Sequence, residues 1–170
     1  MIYKNVKISL FLLAIFFGLS ACSYSFSGAS VPQHLKTISI ETFIDNSRSA
    51  EANLSETLTN NLVQKFIDDN NLQVSNQGNA DSRLSGKIIL LKDETETISG
   101  SEITQKRISI KVKASYYDII KNKKVFEKEF TSYSNYNSNA SDVTAVRTEA
   151  INLVLEQIAE DILLAVVARW

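Results

Sequence analysis

Cysteine, proline, histidine, methionine and tryptophan each occur once in these 170 residues, and glycine only five times. The lone histidine, His34, lies ahead of the patterned part of the chain, so neither a Ser-His-Asp arrangement nor a histidine metal site can be assembled within it. His34 reads as an exposed loop residue. No glycine-rich loop is present to cradle phosphates, and the isolated Gly86, inside a strand pattern, marks a bulge or a close backbone approach. There is no basic excess either: 18 Lys and Arg stand against 19 Asp and Glu, which disfavours nucleic-acid binding. The acidic run Asp93, Glu94 and Glu96 lacks the glycine turn and ligand spacing of a calcium loop, and is expected to be a solvated strand end. No nucleophile–base pair or spaced carboxylate pair is visible, so neither enzymatic activity, a cofactor nor a metal is expected. One proline, few glycines and abundant Ile, Leu, Val and Phe describe a globular chain, and no repeat occurs at solenoid spacing.

The single cysteine, Cys22, could be a nucleophile, a metal ligand, a core group or a site of lipid attachment. The residues before it decide. Lys4 and Lys7 precede an apolar run from Ile8 to Leu19, which is a signal peptide with a basic start and a short hydrophobic region. A stable membrane span needs about 20 apolar residues, and this run is shorter. Leu19-Ser20-Ala21-Cys22 resembles the bacterial lipobox. In such signals the thiol receives a diacylglycerol, the peptide is cut before the cysteine and the new amine is acylated. A plain secreted protein with an incidental thiol, or an anchor that is never cut, are the alternatives. Cleavage removes two lysines, leaving 16 basic and 19 acidic side chains, a charge of −3. Residues 1–21 are thus the expected signal, 22–35 a lipidated leader and 36–170 one domain. SYSFSGAS after Cys22 has neither an Asp resembling an inner-membrane retention signal nor an acidic cluster resembling a surface-export signal, so the expected location is the periplasmic side of an outer membrane.

The domain has alternating and helical stretches in a clear order. KTISIETF alternates with a period of two and reads as a strand with Ile38 and Ile40 on one face. After the turn-like IDNSRS, Leu54, Leu58, Leu62 and Phe66 recur every four residues and predict an amphipathic helix. LQVS is a short strand. In SRLSGKIILLKDETETIS, Leu84, Gly86, Ile88 and Leu90 share a face. Ile108, Ile110, Val112, Ala114 and Tyr116 share the next, with Arg107, Ser109, Lys111 and Lys113 opposite them. KNKK turns the chain into VFEKEFTSYSNY, giving a hairpin over 107–133. From Asp142 to Trp170, Val143, Val146, Ala150, Ile151, Val154, Ile158, Ile162 and Val166, flanked by Leu155 and Leu163, form the stripe of a long closing helix. The order is β-α-β-β-β-β-α. It predicts an α+β two-layer sandwich, with two amphipathic helices on one face of a largely antiparallel sheet of about four strands.

The most suggestive polar feature is the basic row Arg107, Lys111 and Lys113, with Lys106 beside it. On a rigid strand such a row could meet the phosphates of an anionic lipid or an acidic protein wall. It could equally be the wet face of a sheet, with Glu or Asp on neighbouring strands.

Taken together, ACSYSFSGASVP, KTISIETFIDN, LSETLTNNLVQKF, ISIKV, FEKEFTSYSNY and INLVLEQIAEDILLAVVARW resemble the LptE family, particularly its Bacteroidetes branch. These are outer-membrane lipoproteins that partner the LptD β-barrel in lipopolysaccharide export. The resemblance implies two helices on a four-stranded sheet, a plug seated inside the barrel that assists its assembly, contact with lipopolysaccharide, and Cys22 as the lipidated residue. A free-standing periplasmic module binding a lipid or peptide is the competing expectation, and would need a large apolar pocket.

Overall fold

The computed structural model describes residues 31–99 and 102–168. The signal, Cys22, leader residues 22–30 and the last two residues lie outside that range. Six strands and two long helices follow one another as β1 (Thr37–Ile40), β2 (Ile44–Asp45), α1 (Leu54–Asp69), β3 (Gln73–Val74), β4 (Ser82–Ser99), β5 (Glu102–Asp118), β6 (Lys123–Asn137) and α2 (Val143–Val167). The strand order is β3-β1-β4-β5-β6, with β2 also on β4.

The two-helix sandwich is as expected, but the sheet is mixed and larger than about four strands. Strands β4, β5 and β6 are antiparallel, whereas β1 runs parallel to both β3 and β4, and β2 runs parallel to β4. The reason is the crossover: α1 carries the chain back to the end where β1 began, so β3 must run the same way. Two-residue strands such as β2 and β3 are too short to show any period in sequence. Flanked on both sides, β1 buries Ile38 and even Ser39, whose Oγ donates to the Ser82 carbonyl.

Both helices are where the apolar spacing puts them. Leu54, Leu58, Leu62 and Phe66 are buried on α1, and Ile151, Val154, Leu155, Ile158 and Ile162 on α2. Helix α1 is bounded by Asn53 and Asn70, both left-handed (φ 64° and 57°), a conformation asparagine tolerates better than most residues. Asp142 caps α2 by accepting from the Ala145 N–H at 2.9 Å. Lys65 joins the helices through Glu156 (3.2 Å) and Glu160 (3.1 Å).

One irregularity changes which residues face the core. The β4–β5 register steps from Ile88↔Val112 to Leu90↔Lys111, so Ile89 is an extra residue, a β-bulge. Before it, Leu84, Gly86 and Ile88 face the helices. Beyond it the parity flips: Leu90 turns to the open side opposite Lys111, contrary to the simple alternation, and Leu91 and Asp93 turn inward opposite Ile110 and Ile108.

Asp93 is consequently not a solvated strand end. Its two carboxylate oxygens each lie 3.0 Å from the Tyr136 hydroxyl, Arg147 Nε donates to Oδ2 at 2.8 Å, and Arg147 Nη1 reaches Glu51 Oε1 at 2.5 Å. This network ties α2 to β4, β6 and the loop ahead of α1. The hydrogen bond that Arg147 donates to Asp93 is the main reason that its guanidinium is held above its ordinary value.

Where the chain enters the domain, Val31 and Leu35 pack on the core, and His34 is not a free loop side chain. Its Nε2 lies 2.7 Å from Oδ2 of Asp118, whose side chain is only 3% exposed. Nearby, the Asp81 carboxylate accepts from the backbone N–H groups of Lys36 (2.8 Å) and Thr37 (3.0 Å). Burial acts to raise the Asp118 carboxyl, but hydrogen bonds from His34 and the Lys121 N–H outweigh it and hold the group below its usual value. Asp81 is lowered chiefly by the Lys36 N–H. Both groups therefore bind protons less readily folded than unfolded, and the stability they contribute is present above about pH 4 and lost as pH falls through the lower folded values. Asp81→Ala should cost about 1–2 kcal/mol at neutral pH, and the gap from the parent should close in acid. Urea unfolding across a pH series measures this; a gap that stays constant down to about pH 2 would contradict it.

Candidate functional site

The helices cover one face of the sheet, and the other face is open. Alternation on β5 puts Ile108, Ile110, Val112, Ala114 and Tyr116 under the helices, all buried, and sends Arg107, Lys111 and Lys113 to the open side. Burial pushes the Tyr116 phenol up to about 12, in keeping with its place in the core. Lys106 has the parity of Ile108 and belongs to the helix side, where its Nζ lies 3.8 Å from Asp93. The expected row of four is thus three residues on one face and one on the other.

Strand β4 contributes cations that simple alternation does not group. Lys87 and Lys92 are five apart, which in an unbroken strand would put them on opposite faces. The bulge at Ile89 sets both outward, opposite Lys113 and Ser109. Arg83 lies on the same face. Arg83, Lys87, Lys92, Arg107, Lys111 and Lys113 thus share the open sheet with Glu41, Glu94, Glu127 and Glu129. The helices carry most of the balancing charge: Glu56, Asp68 and Asp69 on α1 and Glu149, Glu156, Glu160 and Asp161 on α2, against Lys65 and Arg147. A chain of net charge −1 is in this way polarised, basic on the sheet and acidic on the helices.

Two of the four acids on the open face, Glu127 and Glu129, lie on β6. Lys113 pairs with Glu127 (3.0 Å) and Lys111 with Glu129 (3.5 Å), while Arg107 donates from Nε to Asn135 (3.1 Å) and lies 4.4 Å above the Tyr133 ring centre. Hydrogen bonds from Lys113 and Lys124 hold the Glu127 carboxyl below its ordinary value. These are the cross-strand partners expected of a solvated sheet face. Pairs this exposed contribute little stability, so their cations remain available to a stronger anion. At Lys87 and Lys113 two like charges stand directly opposite, a destabilising juxtaposition. Beside them Glu41, Ser115 and Glu127 complete a shallow depression of about 280 Å³.

No helix of the described residues is long and apolar enough to cross a membrane. Among the same residues no three His, Cys, Asp or Glu side chains form a group that could hold a metal.

Two helices on one side of a mixed sheet, with an open polar face on the other, define a class of small α+β domain found in solved structures at low sequence identity. The CT253 protein from Chlamydia trachomatis matches with a TM-score of 0.61 at 12% identity, over 78% of this chain and 95% of its own. Protein XCC0632 from Xanthomonas campestris matches at 0.58 and 16%, over 78% and 83%. Rare lipoprotein B from Shewanella oneidensis matches at 0.50 and 15%, over 75% and 92%. No curated protein matches in sequence. Residues 35–166 match the family model for LptE, lipopolysaccharide-assembly. The chain belongs to the LptE family, as its sequence segments led one to expect.

Proposed function

We propose that this chain is an outer-membrane lipoprotein, tethered on the periplasmic side through acyl groups on Cys22, that partners and plugs the LptD β-barrel. In that place it assists assembly of the barrel and insertion of lipopolysaccharide, with no catalytic step of its own. The observation that carries this reading is the family match across residues 35–166. The structure supports it physically. A barrel lumen is wet, so a plug needs a rigid body with a filled core and a polar exterior, and the open face of β4–β6 provides polar exterior on one whole side. Its cations, Arg107, Lys111 and Lys113 together with Lys87 on β4, are the groups we assign to lipopolysaccharide phosphates or an acidic barrel wall. Lys106, on the other face, has a structural role through Asp93.

The competing module for free lipid or peptide needs an enclosed apolar pocket. The residues that would line one between sheet and helices, such as Phe66, Ile110 and Ile158, are instead packed together at zero exposure.

Mass spectrometry of the mature N-terminus, combined with a pull-down of membrane partners, tests address and company together. A triacylated Cys22 and a co-purifying barrel are expected, and a Cys22→Ser chain should be neither acylated nor retained in the membrane. A different N-terminus, or recovery only as a free monomer with normal surface lipopolysaccharide after depletion, would count decisively against the reading. Replacing Arg107 and Lys111 with Glu should weaken lipopolysaccharide or barrel association by roughly tenfold, most strongly at low salt. Unchanged binding of both would leave the row as a solvated face only.

A further inference from the structure

Strand β6 ends the sheet: among the described residues no strand pairs with its outer edge, which is 15 residues long. Such an edge presents a row of backbone N–H and C=O groups that another extended chain can satisfy in full. Sheets commonly blunt their edges with charge, proline or bulges. Over 130–137, FTSYSNYN, β6 has no charged residue, proline or glycine. Its register with β5 is unbroken from Asn137 to Phe126, so no bulge turns this stretch away.

A groove runs between this edge and α2, with two depressions. One, of about 520 Å³, lies where 128–131 meet Asp161, Leu164 and Ala165; the other, of about 290 Å³, lies where 134–137 meet Glu149, Ala150 and Leu153. They are six residues apart along β6, about 20 Å. Six is even, so on a strand added to this edge the side chains at i and i+6 point to the same face and reach both depressions. On the helix side, Leu153 and Leu164 are 53% and 49% exposed. Eleven positions apart, about three turns, they lie on one side of α2.

We infer that the β6 edge and the α2 groove form a docking site for an extended segment of a partner polypeptide. It joins the sheet as an added strand and places apolar side chains at i and i+6 against Leu164 and Leu153. Backbone pairing supplies affinity and the two depressions supply register. Along the two depressions the acids Glu129, Glu149 and Asp161 outnumber the single cation, Lys128, and favour a basic segment. They also disfavour a second copy of this chain, because antiparallel two-fold pairing of β6 edges would set the two acidic helices side by side. The groove lies between β6 and α2, on the side of the sheet away from Arg107, Lys111 and Lys113, so this docking and the lipopolysaccharide-transport reading can fail separately.

Hydrogen–deuterium exchange on the full lipidated chain in detergent tests it, using as probe about 1 mM of a synthetic peptide of alternating Thr and Val, with Leu at i and i+6 and Lys at each end. Amides within 128–137 should slow by roughly tenfold or more. The same peptide N-methylated on the amides that face β6 should leave exchange unchanged, and Leu153→Glu with Leu164→Glu, both at exposed positions, should weaken binding roughly tenfold. Absence of slowing on β6, or equal slowing by the N-methylated peptide, overturns the proposal. So does an edge already protected without peptide, whether in a concentration-dependent way by a second copy or by leader residues 22–30.

Discussion

Gly86→Ala should destabilise the domain by about 2–3 kcal/mol, near the top of the range for overpacking a filled core. A Cβ at this position would collide with the Phe43 ring and come within 2.6 Å of the Lys113 carbonyl oxygen. The ring is fully buried and cannot swing away. Its backbone is also clamped to α1, with the Phe43 N–H donating to Thr59 Oγ1 at 3.0 Å and its carbonyl accepting from Ser55. The carbonyl belongs to β5 and is fixed by strands on both sides. Urea unfolding should show a lower midpoint with an unchanged slope. Trimming the ring with Phe43→Leu should recover only part of the loss in the Gly86→Ala background, because the carbonyl contact remains. A substitution cost within about 0.5 kcal/mol would show that the strands separate more easily than their packing indicates.

Arg147→Met should cost about 2–3 kcal/mol, the range for losing charge-assisted hydrogen bonds and leaving a carboxylate poorly satisfied. The change strips Asp93 and Glu51 of their shared guanidinium, with the Asp93 side chain 23% exposed and Glu51 27%. Lys106, at 3.8 Å, is too distant to replace it fully. Asp93→Asn in the same chain should recover part of the loss, since the amide needs no counter-charge. A double-mutant cycle read by thermal or urea unfolding isolates the coupling, and strictly additive costs would mean that the two side chains act separately. Because the network links the start of α2 to β4 and β6, exchange in the first turns of α2 should quicken before that of its C-terminal half.

The helices were legible because their apolar residues recur at 3.6-residue spacing over three turns or more, and Leu54, Leu58, Leu62 and Phe66 are buried as that spacing requires. The β5–β6 hairpin was legible from strict alternation, which also set Arg107, Lys111 and Lys113 on one face. Alternation misplaced Leu90 and hid the kinship of Lys87 and Lys92, since one extra residue at Ile89 reverses the face of everything after it. The pairing of His34 with Asp118 leaves no sign in sequence, because the two are 84 positions apart and no local pattern carries a contact of that separation.

By itself, then, the sequence determined the local periods, the scarcity of histidine and cysteine, the kinship with LptE and the lipobox-like signal ahead of the domain. Each of these is a property of neighbours along the chain. The tertiary structure alone decided that the sheet is mixed, that the acids collect on the helix layer while the cations share the open face, and that β6 ends the sheet beside a groove. Those depend on which strand pairs with which and where a bulge falls, and they are set by the packing of residues far apart in sequence.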